Sequence, residues 1–422
     1  MGLRAAVVVT GTEVLTGRVT DANGPWLAER LQDNGIDISQ IVIVGDRAED
    51  LANVLRPLCA DHDLVITSGG LGPTADDLTA AVVADVQQRP LALDSALEQR
   101  ITAIVAGWAR ARGRRGDPAA LAAGVRKQAL VPGGAQVLEP TGTAPGLVVP
   151  PPDGMPGAPV VVLPGPPSEL RAMWPAVLST PAVQQILAAS HPLVESEMRL
   201  YGVLEADLAA TLRAHAADLD GLEISTCLRD GELEIVTRSS ADAQPAVDRL
   251  RGILGDTFGP ALYSPTGETI DQLVARRLLD LRATISTAES CTAGLVSGRL
   301  ADLPGSSAYL LGGLVAYANS AKRALLGVPA DLLETHGAVS APVAHAMARG
   351  AKDHFGTTFA VSTTGIAGPA GGTVDKPVGL VHLCAVGDSG ILERRVVLPG
   401  DRAQVRRLTT TVALHLVRQL IA

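Results

Sequence analysis

A serine placed after an apolar strand is the first candidate for chemistry in this sequence. Residues 287–294 read TAESCTAG, so a strand is predicted to end at Ser290, where small residues open a helix. The first amide N–H groups of that helix would lie beside the hydroxyl and are suited to an oxyanion. Ser290 is therefore a candidate nucleophile for acyl transfer. The alternative is that Ser290 only caps the helix.

A lysine at the end of another predicted strand is the candidate base. Residues 317–322 read YANSAK, with Tyr317 at the strand end and Lys322 in the first helical turn. A serine is a weak nucleophile until a base takes its proton, and burial lowers the pKa of a lysine toward neutrality. Tyr317 would relay the proton or orient the lysine. The alternatives are core packing for Tyr317 and a solvated helix face for Lys322.

A third strand runs into a glycine-rich loop. Residues 363–369 read TTGIAGP, and glycine-freed backbone N–H groups in such a loop suit a phosphate. An ordinary turn is the alternative.

The N-terminal part of the chain carries a second candidate site. Residues 68–77 read SGGLGPTADD, which is not a Walker P-loop because the Gly-Lys-Ser/Thr ending is missing. The glycines at 69, 70 and 72 allow backbone N–H groups to approach phosphate oxygens. Asp76 and Asp77 are candidate ligands of a divalent cation that bridges a pyrophosphate and activates water. The alternative is that Asp76 caps the following helix.

The elements that must position these residues alternate between strand and helix. Strands are predicted at residues 5–9, 41–44 and 64–67, with amphipathic helices between them, as in an α/β domain that binds ligands at the carboxyl ends of parallel strands. A second α/β region has predicted strands at 284–287, 311–316, 359–363 and 380–385. Between them, Asp230-Gly231 joins two alternating segments and predicts a hairpin. Three domains are expected, at 1–170, 171–255 and 256–422, the middle one a small βαββα linker or dimerisation module.

Composition excludes several classes of protein. The net charge of −9 opposes direct binding to nucleic acid or anionic membranes, because both carry the same sign of charge. The four cysteines form neither a disulfide framework nor a zinc pattern, and no apolar stretch is long enough for a membrane span. We expect a soluble, cytoplasmic protein that acts on small molecules.

The order of these motifs resembles the CinA family along essentially the whole chain. In the C-terminal part the resemblance lies in residues 288–294, 305–307, 317–322, 336–340, 364–369 and 376–379. In the N-terminal part it lies in residues 11–17, 21–23, 44–46, 68–77, 142–146 and 163–169. The sequence departs from the family pattern at Ala293, Ala318 and Thr364, where the family has glycine, serine and serine.

The resemblance implies both a fold and activities. It implies an α/β N-terminal domain of the molybdopterin-binding-protein type in three layers, a KH-like middle domain and a C-terminal α/β amidase domain. The expected activities are hydrolysis of nicotinamide mononucleotide (NMN) to nicotinate mononucleotide and ammonia, and metal-dependent cleavage of ADP-ribose. It also implies a homodimer. The expected metal is a divalent ion of the N-terminal domain, and no cofactor is expected for the amidase domain.

The residues expected at the two sites follow from the same motifs. Ser290, Tyr317 and Lys322 are expected to be catalytic, and Asp76 and Asp77 to hold the metal. Substrate contacts are expected from Cys291, Thr292, Gly294, Asn319, Thr364, Gly365, Gly368, Gly69, Gly70, Gly72, Thr74, Glu13 and Asn23.

Two other functions remain open from sequence. The chain could be a non-catalytic nucleotide sensor or interaction protein linked to competence, or its N-terminal domain could bind molybdopterin. Function has to be decided from the sites, because a fold of this kind carries many activities.

Overall fold

The computed structural model describes residues 2–112, 117–190, 193–388 and 390–422. Contacts divide the chain into two compact units, Met1–Val194 and Glu195–Ala422. The finer division into three domains stays a prediction. Within the described ranges, no helix combines the length and apolar character needed to cross a membrane.

The first unit is built on a mixed six-stranded sheet. Its strands are β1 (Arg4–Thr10), β2 (Asp37–Val44), β3 (Leu64–Ser68), β6 (Gln136–Leu138), β7 (Gly146–Val149) and β8 (Val160–Leu163). The order is β2-β1-β3-β8-β7-β6, and β2, β1, β3 and β8 are parallel while β7 and β6 run antiparallel. A separate pair joins β4 (Leu91–Leu93) to β5 (Leu130–Pro132).

Helices cover both faces of this sheet, as its continuously apolar central strands require. They are α1 (Thr12–Leu15), α2 (Asn23–Asp33), α3 (Ala48–Asp61), α4 (Thr79–Val86), α5 (Ser95–Arg112), α6 (Pro118–Gln128), α7 (Pro167–Leu178) and α8 (Pro181–Leu187). One core packs α3 and α4 on one face of the sheet, and a second packs α2 and α7 on the other. The result is the predicted three-layer α/β arrangement.

The second unit contains two sheets. The first is antiparallel where its pairing is described, with the order β10-β11-β9-β12. Its strands are β9 (Val194–Tyr201), β10 (Glu223–Arg229), β11 (Glu232–Ser239) and β12 (Leu262–Ser264), and its helices are α9 (Glu205–Ala214) and α10 (Gln244–Phe258). The predicted hairpin is confirmed, since β10 pairs with β11 across Asp230-Gly231.

The second sheet of this unit has the order β14-β13-β15-β16-β17. Its strands are β13 (Ile285–Glu289), β14 (Leu310–Val315), β15 (Phe359–Gly365), β16 (Leu380–Gly387) and β17 (Gly390–Val397). Its helices are α11 (Ile270–Asp280), α12 (Leu295–Ala301), α13 (Asn319–Leu326), α14 (Ala330–His336), α15 (Ala341–Phe355) and α16 (Arg402–Leu420).

Three parallel strands of this sheet end side by side. In the register of β14, β13 and β15, Glu289 lies opposite both Val315 and Thr363. The loops that follow the three strands therefore start at the same edge. This topology brings together the three C-terminal motifs, which lie far apart in sequence.

Candidate functional site

Ser290 and Lys322 meet at the carboxyl edge of the C-terminal sheet. The Lys322 Nζ lies 3.0 Å from the Ser290 Oγ. The backbone fixes both partners, because the Ser290 N–H donates to the Thr363 carbonyl (2.9 Å) and the Ala316 N–H donates to the Glu289 carbonyl (2.8 Å). The predicted pairing of hydroxyl and amine is thus present in the geometry.

The amine of Lys322 is buried and contacts two backbone carbonyls. The residue is 1 % exposed, and its Nζ also lies 3.0 Å from the carbonyl oxygens of Ala316 and Tyr317. Burial lowers the pKa of Lys322. A neutral amine has two N–H groups for the two carbonyls and keeps its lone pair for the Ser290 hydroxyl. The solvated helix face considered as the alternative for Lys322 is excluded by this burial.

Tyr317 contacts the lysine through its backbone carbonyl, and its side chain is exposed. The phenol is 54 % exposed and accepts a hydrogen bond of 2.6 Å from Arg402 Nη2. Among the described residues, no hydrogen bond joins this phenol to Ser290 or Lys322, so the orientation of the lysine comes from the Tyr317 carbonyl. The proton relay through the phenol stays a prediction.

The amides at the start of α12 are already occupied. The buried carboxylate of Glu289 accepts hydrogen bonds from the N–H groups of Gly294 (2.9 Å), Val296 (3.0 Å) and Ser297 (2.8 Å) and from the Ser297 hydroxyl (2.7 Å). The expectation that the first amides of this helix hold an oxyanion needs correction, since Glu289 takes them. The helix also starts later than predicted, at Leu295.

Cys291 is part of the loop framework. The residue is 4 % exposed, and burial raises the pKa of its thiol to about 11. Its carbonyl accepts a hydrogen bond from Arg406 Nε (3.0 Å), and the next carbonyl, of Thr292, accepts one from Arg406 Nη2 (2.8 Å). A thiol of this pKa is a poor nucleophile at neutral pH, because the thiolate is the reactive form.

The other C-terminal residues expected to bind substrate are two buried threonines, an exposed asparagine and two loop glycines. The Thr292 hydroxyl bonds to Thr363 Oγ1 (2.7 Å) and the Thr364 hydroxyl donates to the Ala338 carbonyl (2.8 Å), so both buried side chains hold neighbouring loops together. Asn319 is exposed at the start of α13. Gly365 ends β15, and the Gly368 carbonyl accepts a hydrogen bond from Arg402 Nη1 (2.9 Å).

A polar cavity marks the second site, at the carboxyl edge of the N-terminal sheet. Its volume is about 300 Å³. Its walls include predicted residues together with others that the sequence did not single out: Glu13, Asp46, Gly69, Gly70, Gly72, Asp76, Asp77, Thr143, Gly165 and Glu169. An apolar pocket adjoins it around the shared loop residues 70–72 and is lined by Leu78, Leu91, Leu130 and Leu147.

Asp76 and Asp77 converge on one threonine. The Thr74 hydroxyl lies 2.5 Å from an oxygen of each carboxylate, and the Thr74 N–H donates to Asp77 (2.9 Å). Thr74 lowers the pKa of Asp76 through its side-chain hydrogen bond. Both carboxylates lie at the cavity wall. Asp76 lies three residues before α4 begins at Thr79, and Leu78 is the N-cap residue of that helix, so Asp76 does not cap it.

The glycine loop lines the same cavity, and Asn23 contacts its wall through Gly165. The Gly69 N–H donates to the Leu163 carbonyl (2.9 Å), so this amide serves the sheet and only Gly70 and Gly72 remain as amide candidates for a phosphate. Gly70 has φ = +66° and its Cα approaches Thr79, where a side chain would collide. Asn23 is 6 % exposed and its Nδ2 donates to Ser68 (2.8 Å) and Gly165 (2.7 Å).

The chemistry of this cavity fits a divalent cation. Among the described residues, no preformed cluster of three or more His, Cys, Asp or Glu side chains is present. Magnesium is nevertheless often held by one or two carboxylates together with substrate phosphates and water. Asp76 and Asp77 would hold such an ion. Glu169 is an additional carboxylate in the cavity, and burial raises its pKa.

Sequence reasoning missed the charged residues that organise the C-terminal loops. Glu289 lies within residues 287–294, directly before Ser290. A carboxylate before a helix is a recognisable signal of capping. Arg402 and Arg406 lie at the start of α16, and Arg406 is 115 residues away from Cys291 in sequence. No local pattern indicated these two arginines.

Comparison with known proteins assigns both halves of the chain. Residues 6–185 match the model of a probable molybdopterin binding domain, and residues 267–421 match the model of the CinA C-terminal domain. The chain is 53 % identical over 429 residues to a CinA-like protein of Mycobacterium sp. (strain MCS), covering 100 % of this chain and 99 % of the relative. A CinA-like protein of Mycobacterium tuberculosis (strain ATCC 25177 / H37Ra) is 48 % identical, with 99 % and 97 % covered. The crystal structure of the competence/damage inducible protein CihA from Agrobacterium tumefaciens aligns with 44 % identity and a TM-score of 0.35, over 36 % of this chain and 94 % of that one.

Proposed function

Because this chain belongs to the CinA family, we propose that its C-terminal domain is a serine amidohydrolase that converts NMN to nicotinate mononucleotide and ammonia. The observation that carries the proposal is the contact of 3.0 Å between the Ser290 hydroxyl and the buried amine of Lys322. A hydroxyl beside a base of lowered pKa is the arrangement that nucleophilic catalysis requires.

The first half of the reaction acylates the serine. Lys322 Nζ takes the Ser290 proton while Oγ attacks the carboxamide carbon, and the carbonyl electron pair moves to the oxygen. When this tetrahedral intermediate collapses, the C–N bond breaks and the leaving nitrogen takes the proton from Lys322. Ammonia departs and the nicotinoyl group remains as an ester on Ser290.

The second half returns the enzyme to its starting state. Water attacks the ester carbonyl and gives a proton to Lys322, and the Ser290 oxygen leaves and regains that proton. The product is the carboxylic acid, and no oxidant or reductant is consumed. The two carbonyls that bind the lysine hold its lone pair on the serine in both halves.

Arg402 supports a phosphorylated substrate. Its guanidinium lies between the Tyr317 phenol and the Gly368 carbonyl, at the loop expected to receive the phosphate. It is exposed, and no carboxylate of the described residues lies within salt-bridge distance of it. An arginine with unused donors is a suitable phosphate ligand.

The test is ammonia release from NMN by the wild-type protein and by Ser290→Ala. We expect the substitution to abolish ammonia release. The melting temperature should not change, because only one hydroxyl group is removed from a loop. Ammonia release at the wild-type rate by Ser290→Ala would refute the serine mechanism.

We further propose that the N-terminal domain hydrolyses the pyrophosphate of ADP-ribose, giving AMP and ribose 5-phosphate. The polar cavity with Asp76, Asp77 and Glu169 beside the glycine loop supports this proposal. A divalent ion bound there would neutralise the phosphates and lower the pKa of a water molecule. Glu169, whose pKa burial raises, is suited to receive a proton from that water.

The double variant Asp76→Asn/Asp77→Asn tests this second activity. We expect metal-stimulated cleavage of ADP-ribose to fall to background while NMN hydrolysis stays unchanged. Retained metal stimulation would show that these carboxylates are not the ligands.

Molybdopterin binding by the N-terminal domain is the second candidate function, favoured by the match of residues 6–185 to a probable molybdopterin binding domain. Thermal shift assays with ADP-ribose and with a pterin separate the two. Stabilisation by the pterin alone would favour a binding role over a pyrophosphatase.

A further inference from the structure

The N–H groups of the loop after Ser290 can be accounted for one by one. Those of Gly294, Val296 and Ser297 donate to Glu289, that of Ser290 donates to Thr363, and that of Leu295 donates to the Thr292 carbonyl (3.3 Å). Among the residues that the structure describes, no oxygen acceptor is found for the amides of residues 291–293. Backbone hydrogen bonds from Cys291 and Thr292 lower the pKa of the Cys291 thiol, but sulfur is a weak acceptor, so the Thr292 N–H can still donate to a negatively charged oxygen.

Arg406 fixes the direction of two of these three amides. Its guanidinium holds the carbonyls of Cys291 (3.0 Å) and Thr292 (2.8 Å). In a trans peptide the C=O of one residue and the N–H of the next point in opposite directions. The N–H groups of Thr292 and Ala293 therefore point away from Arg406.

Ala293 completes this turn with an uncommon backbone conformation. Its φ is +51°, in the left-handed region that residues with a side chain seldom adopt. Such a conformation persists where surrounding contacts impose it. The Arg406 contacts before Ala293 and the Glu289 contacts after it provide them.

We propose that Arg406 is a positioning residue that orients the N–H groups of Thr292 and Ala293 as the oxyanion hole of Ser290. The cation also polarises the two peptide groups, because it lies at their carbonyl ends, and this strengthens their N–H donors. The inference rests on the proposed amidase function and adds the donors that α12 does not supply.

The test compares Arg406→Ala and Arg406→Lys with Arg407→Ala in the full-length protein. Arg407 lies on the same helix, and its Nε is 3.6 Å from Asp230. It is the matched control, because Asp230 is not part of the loop of residues 290–294, called the serine loop below. For NMN, Arg406→Ala is expected to lower kcat about 10²–10³-fold with KM within about twofold, because the oxyanion forms only after substrate has bound. Arg406→Lys keeps one donor and is expected to lose less, and it serves if the alanine variant does not fold. Arg407→Ala is expected to behave as wild type.

A second measurement does not depend on amide turnover. The probe is 3-pyridylboronic acid: Ser290 Oγ adds to boron, its proton passes to Lys322, and a tetrahedral boronate anion forms. We expect calorimetry to detect binding to wild type and Arg407→Ala, about tenfold or more weaker binding to Arg406→Ala, and none to Ser290→Ala.

The outcomes separate the two proposals. If wild type releases no ammonia from NMN but binds the boronate in an Arg406-dependent manner, the substrate assignment fails and the role of Arg406 stands. If the Arg406 variants match wild type in kcat and boronate affinity, or if Arg407→Ala loses as much, the role of Arg406 is refuted. If wild type shows neither reaction, Ser290 is not a nucleophile and both proposals fall.

Discussion

We expect the protonation state of Lys322 to set the pH range in which Ser290 acts as a nucleophile. The amine accepts the serine proton only when it is neutral, and burial lowers its pKa. Below this lowered pKa, kcat/KM for NMN should rise tenfold per pH unit. Above it, kcat/KM should level off, at a pH lower than the usual pKa of a lysine. The measurement is the pH–rate profile of ammonia release. A flat profile across pH 6–10 would contradict the role of Lys322 as base.

Lys322→Met removes the base and keeps the volume of the side chain. We expect at least a 10²-fold loss of kcat, since general base catalysis typically contributes 10²–10⁴-fold. Lys352→Met is the matched control, because Lys352 pairs with Asp388 (2.9 Å) outside the serine loop. Equal losses in both variants would indicate a general effect on the domain.

Arg402 should determine whether the substrate needs a phosphate. Arg402→Ala removes a hydrogen bond to a charged group, typically about 1.5–3 kcal/mol, or roughly 10–100-fold in kcat/KM for NMN. Nicotinamide riboside lacks the phosphate, so we expect it to be hydrolysed much more slowly. Its kcat/KM should be the same for the wild type and Arg402→Ala. The two kcat/KM values are measured side by side. A parallel loss on both substrates would mean that Arg402 acts only by holding Tyr317 and Gly368.

Glu289 joins the end of β13 to the start of α12. Glu289 is 1 % exposed, and its carboxylate accepts hydrogen bonds from three amides and from the hydroxyls of Ser297 and Thr287. Glu289→Gln turns one acceptor oxygen into a donor that faces other donors. We expect the free energy of unfolding to fall by about 1.5–3 kcal/mol, together with a loss of kcat.

Chemical denaturation measures this change against a matched control. Glu268→Gln alters a carboxylate that binds Arg276 near the surface, where such a pair contributes roughly 0–1 kcal/mol. Similar losses of stability in the two variants would show that the helix start does not depend on Glu289.

The strands and the proximity of Ser290 to Lys322 could be predicted because the signals of the strands are local. Apolar runs gave β1, β3 and β13 to within one or two residues, and parallel strands must end at one edge. The antiparallel strands β7 and β17 were not predicted, since short apolar segments next to Pro- and Gly-rich stretches carry a weak periodic signal. Arg406 and Arg402 of α16 contact residues that are distant in sequence. The spacing of residues along the chain does not predict such long-range contacts.

Truncation can test where the independently folding C-terminal unit starts. Tyr201 stacks on the buried His415 of α16, with ring centroids 3.5 Å apart, and His415 Nε2 lies 2.6 Å from Glu232. A fragment that starts at residue 256 loses Tyr201 and Glu232 and keeps only the edge contact of Tyr263 with His415, whereas one that starts at residue 195 keeps all three. We expect the longer fragment to melt about 5 °C or more above the shorter one, at about 2–4 °C per kcal/mol. Equal melting temperatures would support an independent domain from residue 256.

The two proposed activities differ in their need for metal, so a chelator should separate them within one intact protein. As proposed, cleavage of ADP-ribose would depend on a divalent ion beside Asp76 and Asp77, and the reaction at Ser290 and Lys322 would need none. Excess EDTA should therefore bring ADP-ribose cleavage to background and leave ammonia release from NMN within about twofold, while Ser290→Ala should do the opposite. Adding Mg²⁺ or Mn²⁺ back is the control for the first effect. If EDTA suppresses both activities equally, the metal supports the whole chain and the assignment of one metal-dependent and one metal-independent site is wrong.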